Sequence, residues 1–301
     1  MSKDNIQTID TFMLNQEGFA ASYLLGHRDE FAIIETGVHS TAGKTFESFY
    51  SNPHFEPEKV KYILTTHIHL DHSGGASFIL DKCPNAQLVH HHKTVRHLED
   101  PSRLFESSLQ TNSYTAELYG RPNNISSDKI IPAKVGDVYK VGDLELEIID
   151  APGHHSYHYS ILERQSETLF VGDSCGWYWK EMNAIFPTTP PPRFDYLTYK
   201  DTINKHINSE PKQLAFTHFD IVSENIIDML YNSIDVTQIW YELLKECKYE
   251  RNLTAEESIN TLIKEKYPQF TNLDRGLKDV IFGISTLGIF NYLDQMEIDM
   301  K

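Results

Sequence analysis

Cysteine is scarce: Cys83, Cys175 and Cys247 are the only three in 301 residues, far apart and with no C-x-x-C pair among them. That leaves no disulfide framework and no cysteine-based zinc module, and a reducing compartment is the default. Positive charge is also in short supply. Twenty-seven Lys and Arg stand against 43 Asp and Glu, a formal net charge of −16, whereas a nucleic-acid backbone calls for a net basic face. No nucleic-acid partner is expected. Long apolar runs are missing too. The greasiest stretch, Val280 to Leu293, is interrupted by Ser285, Thr286 and Asn291 and is too short to span a bilayer, so no membrane partner is expected. Met1-Ser2-Lys3-Asp4 carries no signal-peptide core. The expectation is a soluble, acidic, cytoplasmic protein with one large domain, or one domain and a smaller appendage.

What is present is an alternation of short apolar runs and turns. Ala20 to Gly26 and Phe31 to Glu35 flank the polar turn His27-Arg28-Asp29-Glu30 and predict a hairpin. Strands are expected over Tyr62 to Thr66, Gln87 to His90, Val135 to Tyr139, Leu144 to Ile149, Tyr159 to Glu163 and Thr168 to Val171. Helices are expected over Lys44 to Tyr50, Ala76 to Lys82 and one longer region, Lys93 to Tyr119. Hairpins with intervening helices imply sheets covered by helices, not a simple parallel βαβ array. After about residue 220 the pattern turns helical and no strand is expected. Glu224 to Glu250 has helical periodicity, Thr254 with Glu257 forms a capping box, and Leu273 to Met296 carries a third apolar stripe.

Chemistry concentrates in Thr65-Thr66-His67-Ile68-His69-Leu70-Asp71-His72-Ser73-Gly74-Gly75, straight after a strand. In a tight loop His67 and His69 can reach one cation while Asp71 and His72 turn towards a second. Imidazole with carboxylate suits zinc, iron or manganese.

This H-x-H-x-D-H run resembles the signature of the metallo-β-lactamase superfamily, and the later elements of that family occur in its order. His154 follows Pro152-Gly153, Asp173 ends Leu169-Phe170-Val171-Gly172, and His218 ends Leu214-Ala215-Phe216-Thr217. The resemblance covers about residues 6 to 220. It implies an α/β fold, the αββα metallo-β-lactamase sandwich over residues 1–220, with residues 221–301 as a helical extension covering the active site. It further implies two divalent metal ions, the first held by His67, His69 and His154, the second by Asp71, His72 and His218, with Asp173 bridging. The family usually has Asp on an early strand where Ile33-Ile34-Glu35-Thr36-Gly37 offers Glu35, which is assigned a supporting role. His218 stands in Thr-His-Phe-Asp, outside the common Gly-His-Gly context. His158, four residues past His154, matches a family position that packs or hydrogen-bonds near the site.

His155 adjoins His154 and could take its place by a one-residue slip. His90-His91-His92 is read as a partly exposed strand end. Trp177 and Tyr178 could wall a substrate pocket, Tyr196 could donate to an oxyanion, and Cys175 lies near the metals without being a ligand. The resemblance implies a hydrolase cleaving a small ester, thioester or lactone, with Asp71 orienting the nucleophile and returning its proton. The helical tail is similar to those of glyoxalase II-type thioesterases and quinolone-signal response proteins. A non-haem diiron oxygen-binding protein is a second reading, although that branch has Glu where His69 stands and a flavodoxin-like domain that is lacking here. A regulatory protein with slow hydrolysis is a third. The stripe Ile281, Ile284, Leu287 and Phe290 could serve a homodimer or the body.

Overall fold

The computed structural model describes residues 6–27 and 29–299; the polar N-terminal segment and Arg28 of the hairpin turn lie outside the described residues. The first sheet runs in chain order through β1 (Ile6–Asp10), β2 (Ala21–His27), β3 (Glu30–Ile34), β4 (Val60–Leu64), β5 (Gln87–His91) and β6 (Ile130–Ala133). Its first three strands pair antiparallel and the rest parallel. The second sheet contains β7 (Val138–Val141), β8 (Leu144–Asp150), β9 (Tyr159–Glu163) and β10 (Thr168–Gly172). A separate hairpin, β11 (Trp177–Trp179) with β12 (Ala184–Phe186), precedes the last two strands of that sheet, β13 (Gln213–Phe216) and β14 (Asp220–Val222).

The patterns explain the placement. In β8, Leu144, Leu146 and Ile148 alternate inward while Glu145 and Glu147 face out to Arg164. β10 is buried along its whole length because it lies between β9 and β13 with both faces covered. Tyr23, Leu25, Ile34 and Leu64 of the first sheet meet Leu146, Ile148, Ile161 and Phe170 of the second in one apolar layer. Helices α1 (Ala42–Ser48), α2 (Leu70–Ser73) and α3 (Ala76–Lys82) follow the early strands, and Phe46 and Ile79 cover the outer face of the first sheet. The order helix, sheet, sheet, helix is the expected α/β sandwich.

The region 93–119 differs from the single helix expected. It divides into α4 (Arg96–Glu99), α5 (Ser102–Thr111) and α6 (Ser113–Tyr119). Pro101 disfavours helix at the residue before it, and the Asn112 side chain accepts from Thr115 N at 3.0 Å to cap a new helix. β6 and the edge strand β14 were not expected either; β14 is three residues long, too short for a period to show. α7 (Tyr196–Asn208) packs on the second sheet, followed by α8 (Ile226–Tyr249), α9 (Ala255–Lys266), α10 (Arg275–Lys278) and α11 (Ile284–Asp299), with one π-turn, Asp279–Gly283, before α11. The Thr254–Glu257 capping box forms as expected. Trp240, Leu262, Phe282 and Ile289 of this tail share one apolar cluster with Trp177, Phe186 and Phe216 of the body. Trp240 and Phe282 stack at 5.5 Å.

On α7, His206 is buried between Ser160 Oγ at 3.2 Å and Ser174 Oγ at 3.1 Å. Burial, then the charge of Lys205, holds its imidazole down at about 4. The unfolded chain therefore takes up this proton near pH 6.5 and the folded chain does not, so stability is lost as pH falls from 6.5 towards 4. Denaturant titrations at pH 7 and pH 5 are expected to show His206→Gln sparing roughly 2 kcal/mol of the acid loss seen in the parent. Equal losses in both proteins would remove His206 from the acid response.

Candidate metal centre

Five strand-to-loop junctions deliver the site to one rim of the sandwich: those after β3 (Glu35), β4 (His67 to His72), β8 (His154), β10 (Asp173) and β13 (His218). His67 Nε2 lies 2.8 Å from His69 Nδ1, and His154 Nε2 lies 3.1 Å and 3.0 Å from these two atoms. Three imidazole nitrogens converging so closely match the face of a tetrahedral metal site, in which bonds of about 2.0–2.1 Å place nitrogens about 3.3 Å apart. Beside this triad, His72 Nε2 is 3.4 Å from Asp173 Oδ1, His218 Nε2 is 3.5 Å from both Asp173 Oδ1 and Asp71 Oδ2, and His154 Nε2 is 3.3 Å from Asp173 Oδ2. The two oxygens of Asp173 thus face opposite sets of histidines.

Two of these atoms, His72 Nε2 and Asp173 Oδ1, are buried with no hydrogen-bond partner. Orphaned buried polar atoms are costly, and a cation between them would satisfy both. His67, His69 and His154 form one group able to hold a metal, and Asp71, His72 and His218 another.

Electrostatics separate the halves. Burial, followed by the neighbouring imidazoles, pushes His67 and His69 well below their ordinary value, towards the neutral form that ligates metals. Burial also lowers His72 and His218, but the carboxylates around them prevail and hold both above it. Asp71 shows the reciprocal effect: burial raises its carboxyl, while the charges of His72 and His218 and a hydrogen bond from His218 hold it at about 2.

A supporting layer aims these donor groups. Glu35 takes the left-handed conformation (φ 63°) at the end of β3, an uncommon state for a non-glycine residue. Its Oε1 then meets His72 Nδ1 at 3.1 Å and accepts from Thr66 Oγ1, which itself lies 3.0 Å from His67 Nδ1. His154 Nδ1 donates to Thr188 O and His218 Nδ1 to Phe19 O, each at 2.7 Å. His158 Nε2 accepts from Asp173 N at 3.1 Å. Only glycine fits at 172, where φ is +53° and a Cβ would lie 2.6 Å from both His158 Nε2 and Thr66 Oγ1. Replacing Glu35 with Gln is expected to weaken metal affinity about 10–100-fold, measured by competition with a chromophoric chelator. Unchanged affinity would separate Glu35 from the centre.

Other sequence readings fall differently. His155 lines the cavity but accepts from Tyr157 N through Nδ1, and it is His154 that enters the triad. His90 and His91 are buried, with His90 held between Thr65 and Thr94; only His92 is exposed. Trp177 lines the cavity and stacks on His218 at 4.6 Å. Tyr178 and Tyr196 do not line it. Tyr178 turns its hydroxyl to Asn183 at 3.2 Å, and Tyr196 opens α7 with its ring stacked on Tyr241 at 4.3 Å. The Cys175 thiol is buried, outside the cavity lining, and burial pushes it up to about 12. Sequence reasoning missed Tyr119, which lines the cavity at the end of α6, and four cations: Lys93 before α4, Arg96 on α4, Arg103 on α5, and Arg193 in the loop before α7. No motif marks them.

Sheets between helical layers, with imidazoles and carboxylates gathered at the strand ends, define an αββα fold with donor groups able to hold divalent metal. The model of the metallo-beta-lactamase superfamily matches residues 15–218, and the chain belongs to that superfamily. Among curated proteins it is 29% identical over 175 residues to the metallo-beta-lactamase fold-containing protein ST1585 of Sulfurisphaera tokodaii, covering 57% of this chain and 65% of that protein. It is 28% identical over 115 residues to the hydroxyacylglutathione hydrolase of Legionella pneumophila, covering 38% of this chain and 34% of that enzyme. The chain thus matches less than two thirds of the length of either relative. In fold it resembles the metallo-beta-lactamase family protein TTHA1429 of Thermus thermophilus, with a TM-score of 0.67 at 18% identity, over 97% of this chain and 94% of that one.

Proposed function

We propose that the protein is a dinuclear-metal hydrolase of a small ester, thioester or lactone. One observation carries this reading: Asp173, buried, turns one oxygen to His154 and the other to His72 and His218, the arrangement a carboxylate needs to bridge two cations. His67, His69 and His154 would hold the first ion and Asp71, His72 and His218 the second; zinc suits this donor set best, and iron or manganese also fit. When bound there, the ions would supply a water of lowered pKa and polarisation of a carbonyl. The chain's own residues do the rest. Asp71, ionised and 17% exposed, accepts the proton of the attacking water. As the bond to the leaving oxygen or sulfur breaks, Asp71 returns that proton to it. Leu70, Tyr119 and Trp177 line the cavity together with Asp71. Similarity to a hydroxyacylglutathione hydrolase supports thioesters as the first class to test. No described helix is long and apolar enough to cross a membrane, and we place the enzyme in the cytoplasm, acting on a small molecule, as a monomer or a homodimer.

The test is elemental analysis of protein purified without chelator or added metal, run beside a panel of short esters, thioesters and lactones. Two equivalents of metal with turnover of at least one class is the expected result. An optical band of a diiron centre on exposure to air, without turnover, would replace this reading with an oxygen-binding one.

A further inference from the structure

The cavity over the metal centre has a volume of about 460 Å³, within the range of small-molecule sites. Among the described residues its lining carboxylates are Asp71 and Asp173 alone, both engaged by the neighbouring histidines. Facing them are four permanent cations, Lys93, Arg96, Arg103 and Arg193. In a chain with 43 acidic and 27 basic side chains, that local excess is unusual. These cations are also unspent. Elsewhere basic residues find carboxylates, as Arg164 does with Glu145 and Glu147, Lys180 with Asp220 and Arg251 with Glu246 and Glu265. Among the described residues none of the four cavity cations is in an ion pair. Arg96 donates to His97 Nε2 at 3.4 Å, and Arg193 lies over the Tyr157 ring at 5.8 Å. Burial first, then the charges of Arg96, Arg103 and Arg193, hold the His97 imidazole below its ordinary value, so three guanidiniums act on one spot. The lining also carries apolar side chains, Leu104 of α5 and Val280 and Ile284 from the tail.

We propose that this cavity selects amphiphilic anions, a substrate whose acyl or leaving group ends in a carboxylate, sulfonate or phosphate. The anion sits among Lys93, Arg96, Arg103 and Arg193, and the apolar part lies against Leu104, Val280 and Ile284. The scissile bond rests on the hydrolase reading; the anion site rests on the cations alone. Unpaired charges lining a cleft steer and hold an opposite charge, with a strong dependence on ionic strength.

Two butyryl thioesters test this, one with 3-mercaptopropionate and one with neutral N-acetylcysteamine as the leaving thiol. The anionic thioester is expected to show at least about 10-fold higher kcat/KM. Added salt and the double variant Arg96→Gln/Arg193→Gln, both positions being exposed, are expected to bring the ratio of the two towards one. In parallel, binding of 1-octanesulfonate, a weak metal ligand, is followed by tryptophan fluorescence, since Trp177 lines the cavity. The double variant should weaken it about 10-fold without moving the unfolding midpoint. Equal turnover of both thioesters, with sulfonate binding indifferent to the variant, overturns the anion site and leaves the hydrolase standing. Weakened sulfonate binding with no turnover of either thioester supports the anion site and removes the hydrolase. Neither binding nor turnover removes both.

Discussion

Asp173→Asn is expected to lower kcat/KM on the order of 10³-fold or more, the scale seen when a member of a catalytic unit is removed, and to reduce bound metal to one equivalent or less per chain. The reason is positional. Asp173 Oδ2 lies 3.3 Å from His154 Nε2, and Oδ1 lies 3.4 and 3.5 Å from the Nε2 atoms of His72 and His218. The amide has the same shape but no charge, and it points an N–H₂ at one set of histidines. Its backbone is pinned independently of the side chain: Asp173 N donates to His158 Nε2 at 3.1 Å, and Asp173 O accepts from Thr188 Oγ1 at 2.8 Å. The fold should therefore persist, checked by an unchanged circular dichroism spectrum. Metal content by elemental analysis and turnover are read on the same preparation. Full metal loading with the parental rate would take Asp173 out of the centre.

The second large effect is expected far along the chain, at Gly288. Within an exposed helix, Gly→Ala usually stabilises by about 1 kcal/mol. Here the sign reverses. A Cβ at 288 would lie 1.6 Å from Thr189 O and 2.7 Å from the carbonyl carbon of Pro190, so α11 would have to lift away from the segment it packs against. That segment is tied to the helix, with Ser285 Oγ donating to Pro187 O at 2.8 Å and Thr189 Oγ1 donating to Ser285 O at 2.9 Å. It is tied equally to the candidate metal centre, since Thr188 O accepts a hydrogen bond from His154 Nδ1. Gly288→Ala is expected to destabilise by about 3 kcal/mol, read as a fall in the thermal midpoint. It should also cut kcat/KM about 10²-fold through misplacement of His154 and the cavity wall. A parental midpoint and rate would show that the helix and the loop give way freely. By the same logic, deleting residues 223–301 strips the cover from Trp177, Phe186 and Phe216, which share their cluster with the tail. Loss of cooperative unfolding is the expected outcome, not a faster enzyme.

Much of the candidate centre was readable because its donor groups fall where short apolar strands stop. The run from His67 to His72 follows β4 directly, and Asp173 and His218 come one and two residues after β10 and β13. Such local signals survive in a one-dimensional pattern. Glu35 was readable in part: its position after β3 was plain, but its left-handed backbone and its hold on Thr66 and His72 were not. Tyr196 shows the opposite failure. It follows the proline run in sequence, yet as the first residue of α7 it is carried onto Tyr241 of α8, away from the cavity.

By itself, then, the order of residues determined the sandwich and the donor set, because strand period and ligand chemistry are properties of a few consecutive side chains. What only the tertiary structure decided is the company those donors keep. Leu104 and Ile284 are 180 residues apart and have no common period or motif, and Arg96 and Arg193 are nearly a hundred apart. Residues so far apart come to line one cavity only when helices and loops find their places on a folded body, and it is this placement that shapes the cavity and gives it its charge.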